Sequence, residues 1–279
     1  MTDDRDGVRR ADERRARRDA AVQRFTHAVA TPRPALEVGA FEIARAIDPR
    51  ADDDAVARAR VELDRLADGV TDLAGLVARL YVEEGFGGAG ERYYDPARSS
   101  LLEVLAVRRG IPITLAIVCL EVGRRAGVAL EPVGMPGHFL VRPAGTAGPH
   151  LDPFSGELLD LAGCEARFRS STGAGPDVAF DPARMLVAVD DRAVLVRMLT
   201  NLRLIHRAHG RLDELRWVLA MRLALPGVGP EEVAELAEVL GRRAAFREAA
   251  MLLEDWAEEL PDAATTLQRR ARAWRAHLN

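Results

Sequence analysis

Residues 110–128 read Gly-Ile-Pro-Ile-Thr-Leu-Ala-Ile-Val-Cys-Leu-Glu-Val-Gly-Arg-Arg-Ala-Gly-Val, and the fold is decided there. Gly110-Ile-Pro112 breaks the preceding chain. Thr114 to Ala126 then runs apolar nearly all round, through Leu115, Ala116, Ile117, Val118, Cys119, Leu120 and Val122. A helix with so little polar face is a buried central helix. Arg124 and Arg125 complement the dipole at its end, and Gly127 supplies the stop. The period then changes. Leu130 to Val133 and Phe139 to Val141 read as short strands separated by Gly134-Met-Pro-Gly137, and His150-Leu-Asp-Pro153 starts a third extended piece. A buried helix followed by a small antiparallel sheet predicts an α+β fold.

Towards the N-terminus the pattern is helical from Ala35 to Glu84. Leu36, Ala40, Ile43, Ala44 and Ile47 recur at three- and four-residue spacing, and Asp48-Pro49 stops that run. Val56, Leu63, Leu66 and Val70 mark a second helix; Leu73, Leu76, Val77 and Leu80 mark a third. Together they predict a helical cap on the core. Gly85 to Pro96, with four glycines and Tyr93-Tyr94, reads as an ordered loop. It lacks the lysine and the strand-then-helix context of a phosphate loop. Ser99 to Val107 is again helical. Residues 1–20 carry seven arginines and six acids, so 1–24 is expected to be a disordered leader, with a mixed-charge solvated helix as the alternative. Ordered structure is expected from near Phe25 or after Pro32–Pro34.

Towards the C-terminus, 170–182 is rich in Gly, Ser, Pro and Asp and predicts a linker between a domain at 25–170 and a helical domain at 183–279. Helices are expected over 193–209, 211–225, 230–243, 244–260 and 263–277. Pro226 and Pro261 end two similar segments 35 residues apart, near the ~34-residue period of tetratricopeptide hairpins. Two hairpins are too few for a free solenoid and are expected to pack on the core.

The chain has 279 residues, 48% apolar and 29% charged, with a formal net charge of -4. That balance is globular, and it argues against a nucleic-acid binder. No apolar run reaches a membrane span, and no secretory h-region is present, so a cytoplasmic location is expected. Two cysteines, Cys119 and Cys164, exclude a disulfide scaffold and a four-cysteine zinc site. All 39 basic residues are arginine, which excludes lysine Schiff-base chemistry.

His138 and Asp152 are the first candidates for chemistry. His138 starts a predicted strand after a glycine turn, as a structural histidine or as a general base. Asp152, on the next strand, is either an Asp-Pro turn cap or the acid that fixes the tautomer of His138. A thiol or hydroxyl at the start of the central helix would benefit from the helix dipole, which lowers a thiol's pKa. Thr114 stands there, as an N-cap or as a poor replacement for a thiol. Cys119 lies more than a turn further in, where a cysteine is usually an inert small hydrophobe. His206 and His209 are spaced i, i+3 without a third ligand, and Cys164 has no partner at metal or triad spacing, so no metal site is expected. No cofactor motif is present, and Asp52-Asp53-Asp54 is explained by a helix N-terminus.

Residues 80–160 resemble the SirB-type family of the transglutaminase-like superfamily, whose members carry a tetratricopeptide-like helical tail. The resemblance rests on Glu84-Gly-Phe-Gly-Gly88, Tyr93-Tyr-Asp-Pro96, Ser99-Ser-Leu-Leu-Glu-Val-Leu105, Arg108-Arg-Gly-Ile-Pro-Ile-Thr-Leu115, Leu120-Glu-Val-Gly-Arg-Arg-Ala-Gly-Val128, Pro136-Gly-His-Phe-Leu-Val-Arg142 and Asp152-Pro-Phe-Ser-Gly156, in the family's order. Arg197-Met-Leu-Thr-Asn-Leu202 fits the same family. The resemblance implies an α+β transglutaminase-like core with an N-terminal helical cap and C-terminal hairpins. In that superfamily a helix-start cysteine attacks a carbonyl, activated by a histidine and an aspartate on the following strands. His138 and Asp152 take those two roles. The helix-start position falls between Pro112 and Thr114, and no cysteine is there. The family's asparagines near Ala89 and Arg98 are also missing.

Three functional readings follow. The first is a catalytically impaired module that binds a protein or peptide partner in a regulatory role. The second is a triad hydrolase or acyl transferase using Thr114 or Cys119 with His138 and Asp152. The third is a helical scaffold in which His138 and Asp152 serve packing alone. Oligomeric state is not legible in the sequence.

Overall fold

Pro112 to Gly123 are buried without interruption, and the remaining elements are arranged around that stretch. The computed structural model describes residues 2–32 and 34–278. In chain order, the cap consists of α1 (Thr2–Val29), α2 (Leu36–Ile47), α3 (Asp53–Ala67) and the short α4 (Leu73–Val77), which passes directly into a π-helical turn at Ala78–Glu83. Strand β1 (Gly87–Gly88), α5 (Leu101–Val107) and β2 (Arg109–Gly110) lead into the central helix α6 (Pro112–Ala126). The sheet strands are β3 (Leu130–Met135), β4 (His138–Pro143), β5 (His150–Leu151) and β6 (Leu158–Leu159). After α7 (Leu161–Thr172) and α8 (Pro182–Met185), β7 (Val187–Ala188) returns to the sheet. Five helices close the chain: α9 (Asp191–Ala208), α10 (Leu212–Leu223), α11 (Pro230–Gly241), α12 (Phe246–Glu259) and α13 (Ala264–Arg275). The fold is therefore α+β, mostly helical around a small antiparallel sheet, as the change of period after Gly127 predicts.

Local chemistry explains the boundaries around the core. The α6 helix starts with Pro112 at its first turn and ends at Gly127, whose φ of +74° a residue with a side chain rarely adopts. Asp52 caps α3 by accepting from the Ala55 N–H at 2.8 Å, which contributes about 1 kcal/mol. In the main core, Leu36, Ile43, Leu63, Leu66, Leu76 and Leu101 are at most 0% exposed. Each such side chain stabilises the fold by roughly 1.5–3 kcal/mol through burial.

The five-stranded sheet runs β6-β5-β4-β3-β7, and each neighbour pair in it is antiparallel. The β3–β4 hairpin turns at Pro136-Gly137, with Met135 opposite His138. Phe139 and Val141 join the main core, while Leu140 packs with Val133, Met135, Cys164, Phe168 and Leu186. The sheet is thus covered on both faces, by α6 and by α7.

Two expectations about the chain's organisation are corrected. Residues 2–24 form most of α1 instead of a disordered leader; Met1 lies outside the described residues. Ala21, Phe25 and Val29 are buried, and Arg18 pairs with Glu214 of α10 at 2.6 Å. From Arg9 to Arg17 the side chains are exposed, and the helix docks through its second half. The expected linker at 170–182 is in part the end of α7, and β7, beyond it, pairs with β3. One strand of the sheet therefore comes from the segment assigned to the helical domain.

The terminal helices α10–α13 enclose their own apolar cluster, with Leu219, Val233, Leu253 and Leu267 at its centre. Trp217 and Met221 of α10 belong to the main core instead, so α10 joins the two. Among the described residues no helix is long and apolar enough to cross a membrane.

His206 of α9 lies at the junction of α1, α9 and α10, only 2% exposed, with its ring edge-on to Trp217 at 6.2 Å. Neither ring nitrogen has a hydrogen-bond partner. Burial pushes its pKa down to about 4; Glu214 opposes that shift, and Arg211, Arg18 and His209 reinforce it. The unfolded chain, titrating near 6.5, then binds more protons than the folded one between those limits. Stability is expected to fall as pH drops from about 6.5 to about 4, by about 3 kcal/mol for this one group. Urea unfolding across that range checks the slope. His206→Leu should flatten it, and an equally steep slope in that variant would assign the loss elsewhere.

Candidate functional site

The site lies where β4, the turn after β5, α7 and the π-helical turn meet. His138 is the first residue of β4, set by the Pro136-Gly137 turn. Its Nε2 lies 2.7 Å from Asp152 Oδ1. His138 is 6% exposed and Asp152 is fully buried. Nε2 faces a carboxylate oxygen, so it donates a proton to it; among the described residues Nδ1 makes no hydrogen bond.

Asp152 opens a tight turn. Its N–H donates to the Glu157 carbonyl and its own carbonyl accepts from the Gly156 N–H, both at 2.8 Å. Oδ1 also accepts from the Phe154 N–H at 2.8 Å. Oδ2 is 2.9 Å from an Arg167 Nη of α7 but has no hydrogen bond, so that contact is an ion pair with poor hydrogen-bond alignment. Burial alone pushes the Asp152 carboxyl up. The hydrogen bond and charge of His138, the Phe154 N–H and Arg167 outweigh it, leaving the carboxyl below its ordinary range.

Tyr81 and Phe154 hold the turn in place. The Tyr81 hydroxyl, from the π-helical turn, donates to the Pro153 carbonyl at 2.9 Å. Its single proton is used there, so the Cys119 thiol, 3.4 Å away, is the donor in their contact. Gly156 lies so close that a Cβ would come within 2.5 Å of the Tyr81 ring. The Phe154 ring stands edge-on to His138 at 6.4 Å and presses on Gly88, where a Cβ would meet it at 2.3 Å. Gly88 N–H in turn donates to the Phe154 carbonyl at 2.8 Å. Tyr93 lies 6.4 Å from Phe154, and the exposed Tyr94 packs on Tyr93, extending an aromatic row from His138 to the surface.

His138 and Asp152 are thus brought together, while neither proposed nucleophile is hydrogen-bonded to His138. Thr114 stands at the third position of α6; the helix cap is Ile111, so the N-cap role read for Thr114 is corrected. Its hydroxyl is fully buried and has no hydrogen-bond partner. Cys119 is buried within α6, and burial pushes its thiol up to about 12. Cys164 of α7 is also buried, with its thiol raised to about 11 by burial and by Asp160 and Asp152. Tyr81, Phe154, Gly88 and Arg167 were missed by sequence reasoning. The glycine-rich loop was a signal for Gly88, and the Asp-Pro-Phe-Ser-Gly turn was one for Phe154. Tyr81 and Arg167 sit in helical runs with nothing local to mark them.

No group of three or more His, Cys, Asp or Glu residues among those described could hold a metal ion. The His209 Nδ1–H is spent on the Ile205 carbonyl at 2.8 Å, so that nitrogen is not free to ligate beside His206.

Residues 50–200 match the transglutaminase-like superfamily. The chain is 35% identical over 167 residues to a UPF0162 protein of Xylella fastidiosa, covering 59% of this chain and 58% of that one. It is 31% identical over 144 residues to a UPF0162 protein of Vibrio cholerae, covering 51% and 50%. A third similarity, 40% over 85 residues, is to F-box only protein 21 of Mus musculus, covering 30% of this chain and 14% of that one. The matched stretch therefore spans only 50–58% of the length of those two bacterial relatives. No solved structure matches the chain.

Proposed function

The chain belongs to the transglutaminase-like superfamily, and we propose that it is a catalytically impaired member of the SirB type that binds a protein or peptide partner in a regulatory role. One observation carries the reading: the start of α6 holds Pro112, Ile113 and a buried Thr114, and both thiols of the chain are buried. An acyl-transfer mechanism needs a thiolate or an activated hydroxyl within reach of the base. Loss of a nucleophile leaves only the rate contributed by binding and electrostatics. The C-terminal helices, read as tetratricopeptide-like hairpins, supply further surface for a partner.

The intact His138–Asp152 hydrogen bond favours a second reading, a hydrolase or acyl transferase using Thr114 or Cys119. The two readings separate in one set of assays. The purified chain is incubated with a glutamine-bearing acceptor protein and a biotinylated amine, and with a fluorogenic peptide mixture. The binding reading expects no product above buffer. It also expects His138→Ala to retain captured partners within a few-fold. Turnover abolished by both Thr114→Val and His138→Ala would overturn it, as would complete loss of partner capture by His138→Ala with unchanged circular dichroism.

A further inference from the structure

We propose that Arg167 is the positioning residue of the His138–Asp152 pair, holding the carboxylate so that His138 presents its Nδ1 lone pair to an N–H donor of a bound peptide. The ligand half of this inference rests on the binding reading; the positioning half stands on the geometry alone.

A fully buried carboxylate requires a compensating charge or a full set of donors. Oδ1 of Asp152 has its donors, from His138 Nε2 and the Phe154 N–H. Oδ2 has neither a donor nor solvent, and the guanidinium of Arg167 at 2.9 Å is its near cation. That guanidinium is anchored from outside. The same Nη donates to Glu157 Oε2 at 3.1 Å, and Glu157 is 63% exposed at its side chain. Glu157 also closes the Asp152 turn, since its carbonyl accepts from the Asp152 N–H. The other titratable groups whose field meets the carboxylate are Tyr81, Cys119 and Cys164, each kept neutral by burial.

Arg167 sets a cation beside Oδ2, on the oxygen that His138 does not reach. His138 meets the other oxygen, Oδ1, through the hydrogen bond from Nε2. Its Nε2–H is spent inward, and Nδ1 is left as an acceptor without a partner. The complementary ligand group is an N–H or O–H donor, of which a peptide backbone offers one per residue. The aromatic row Phe154, Tyr93 and Tyr94 gives such a peptide an apolar wall beside that acceptor.

The test reads the His138 Nε2–H directly. A histidine proton bonded to a buried carboxylate is strongly deshielded and exchanges slowly, so its proton NMR signal reports how firmly the pair is held. His138→Gln assigns the signal by removing it. In R167Q the exchange rate is expected to rise at least tenfold while the backbone amides of β4 keep their protection. R167M, which retains the stem's packing on α7, carries the same expectation. R167K should return the rate to within threefold of wild type. An unchanged rate in both R167Q and R167M would overturn the proposal, as would a rise matched by loss of β4 amide protection. No ligand enters the measurement, so failure of the binding reading and failure of the positioning role are seen separately.

Discussion

Iodoacetamide at pH 8 is expected to leave Cys119 and Cys164 of the native protein unmodified on the timescale that fully labels the urea-unfolded chain. Only the thiolate is the nucleophile, and an unfolded cysteine titrates near 8.5. With the Cys119 thiol pushed up to about 12 by burial, its thiolate fraction at pH 8 falls about three orders of magnitude below the unfolded value. For Cys164, raised to about 11, the same arithmetic gives about two orders of magnitude. Both residues are at most 1% exposed, so access lowers the rates further. Mass spectrometry of tryptic peptides over a labelling time course separates the two sites. Should Cys119 label within an order of magnitude of its unfolded rate, a reactive thiol stands beside Tyr81 and Asp152, and the non-catalytic reading loses its main support. Protection at both sites leaves Thr114 as the remaining candidate nucleophile of those read from the sequence.

The central helix, its glycine stop and the hairpin that follows were legible because their signals are local. A run apolar on every side, a Gly127 at the right place and a Pro-Gly turn before His138 each act within a few residues. The proximity of His138 and Asp152 was legible from their places on successive strands as one of two alternatives, and the family resemblance favoured it; neither residue's neighbours in the chain specify the other. What stayed hidden depends on distant partners. The N-terminal helix looks like a solvated charge run until Arg18 meets Glu214 and Phe25 meets the core. Strands β6 and β7 are two residues long, too short for any alternating pattern, and exist because β5 and β3 offer edges to pair with. Tyr81 and Arg167 became visible only once the Asp152 turn was folded between them. Function was less legible than fold for the same reason: the residue types are present, but their chemistry depends on burial and on which hydrogen bonds are already spent.

Asp152→Ala is expected to destabilise the fold by about 3–5 kcal/mol, the range for removing one partner of a buried ion pair. The substitution leaves the His138 Nε2–H and the Phe154 N–H buried without an acceptor, and removes one of the two carboxylates that engage Arg167. Each abandoned donor costs about 1–3 kcal/mol, which reaches the same range by an independent route. Asp152→Asn keeps the shape and one carbonyl acceptor and should cost less, because Oδ1 is the atom that collects both hydrogen bonds. His138→Ala should cost less than Asp152→Ala, since the carboxylate it leaves behind keeps the Phe154 N–H and Arg167. The double variant should be less destabilised than the two single changes summed, because the hydrogen bond between them is lost only once. Urea unfolding monitored by tryptophan fluorescence supplies all four values. A loss under about 1 kcal/mol for Asp152→Ala would mean that water enters the site on substitution and satisfies the donors. A large loss makes the Asp152 carboxylate a structural member of the sheet edge, which places a constraint on function as well. Loss of partner binding in an Asp152 variant then reports the turn, whereas the change of a few-fold or less expected in His138→Ala, which removes the Nδ1 acceptor and leaves Arg167 beside the carboxylate, reports the contact of His138 itself.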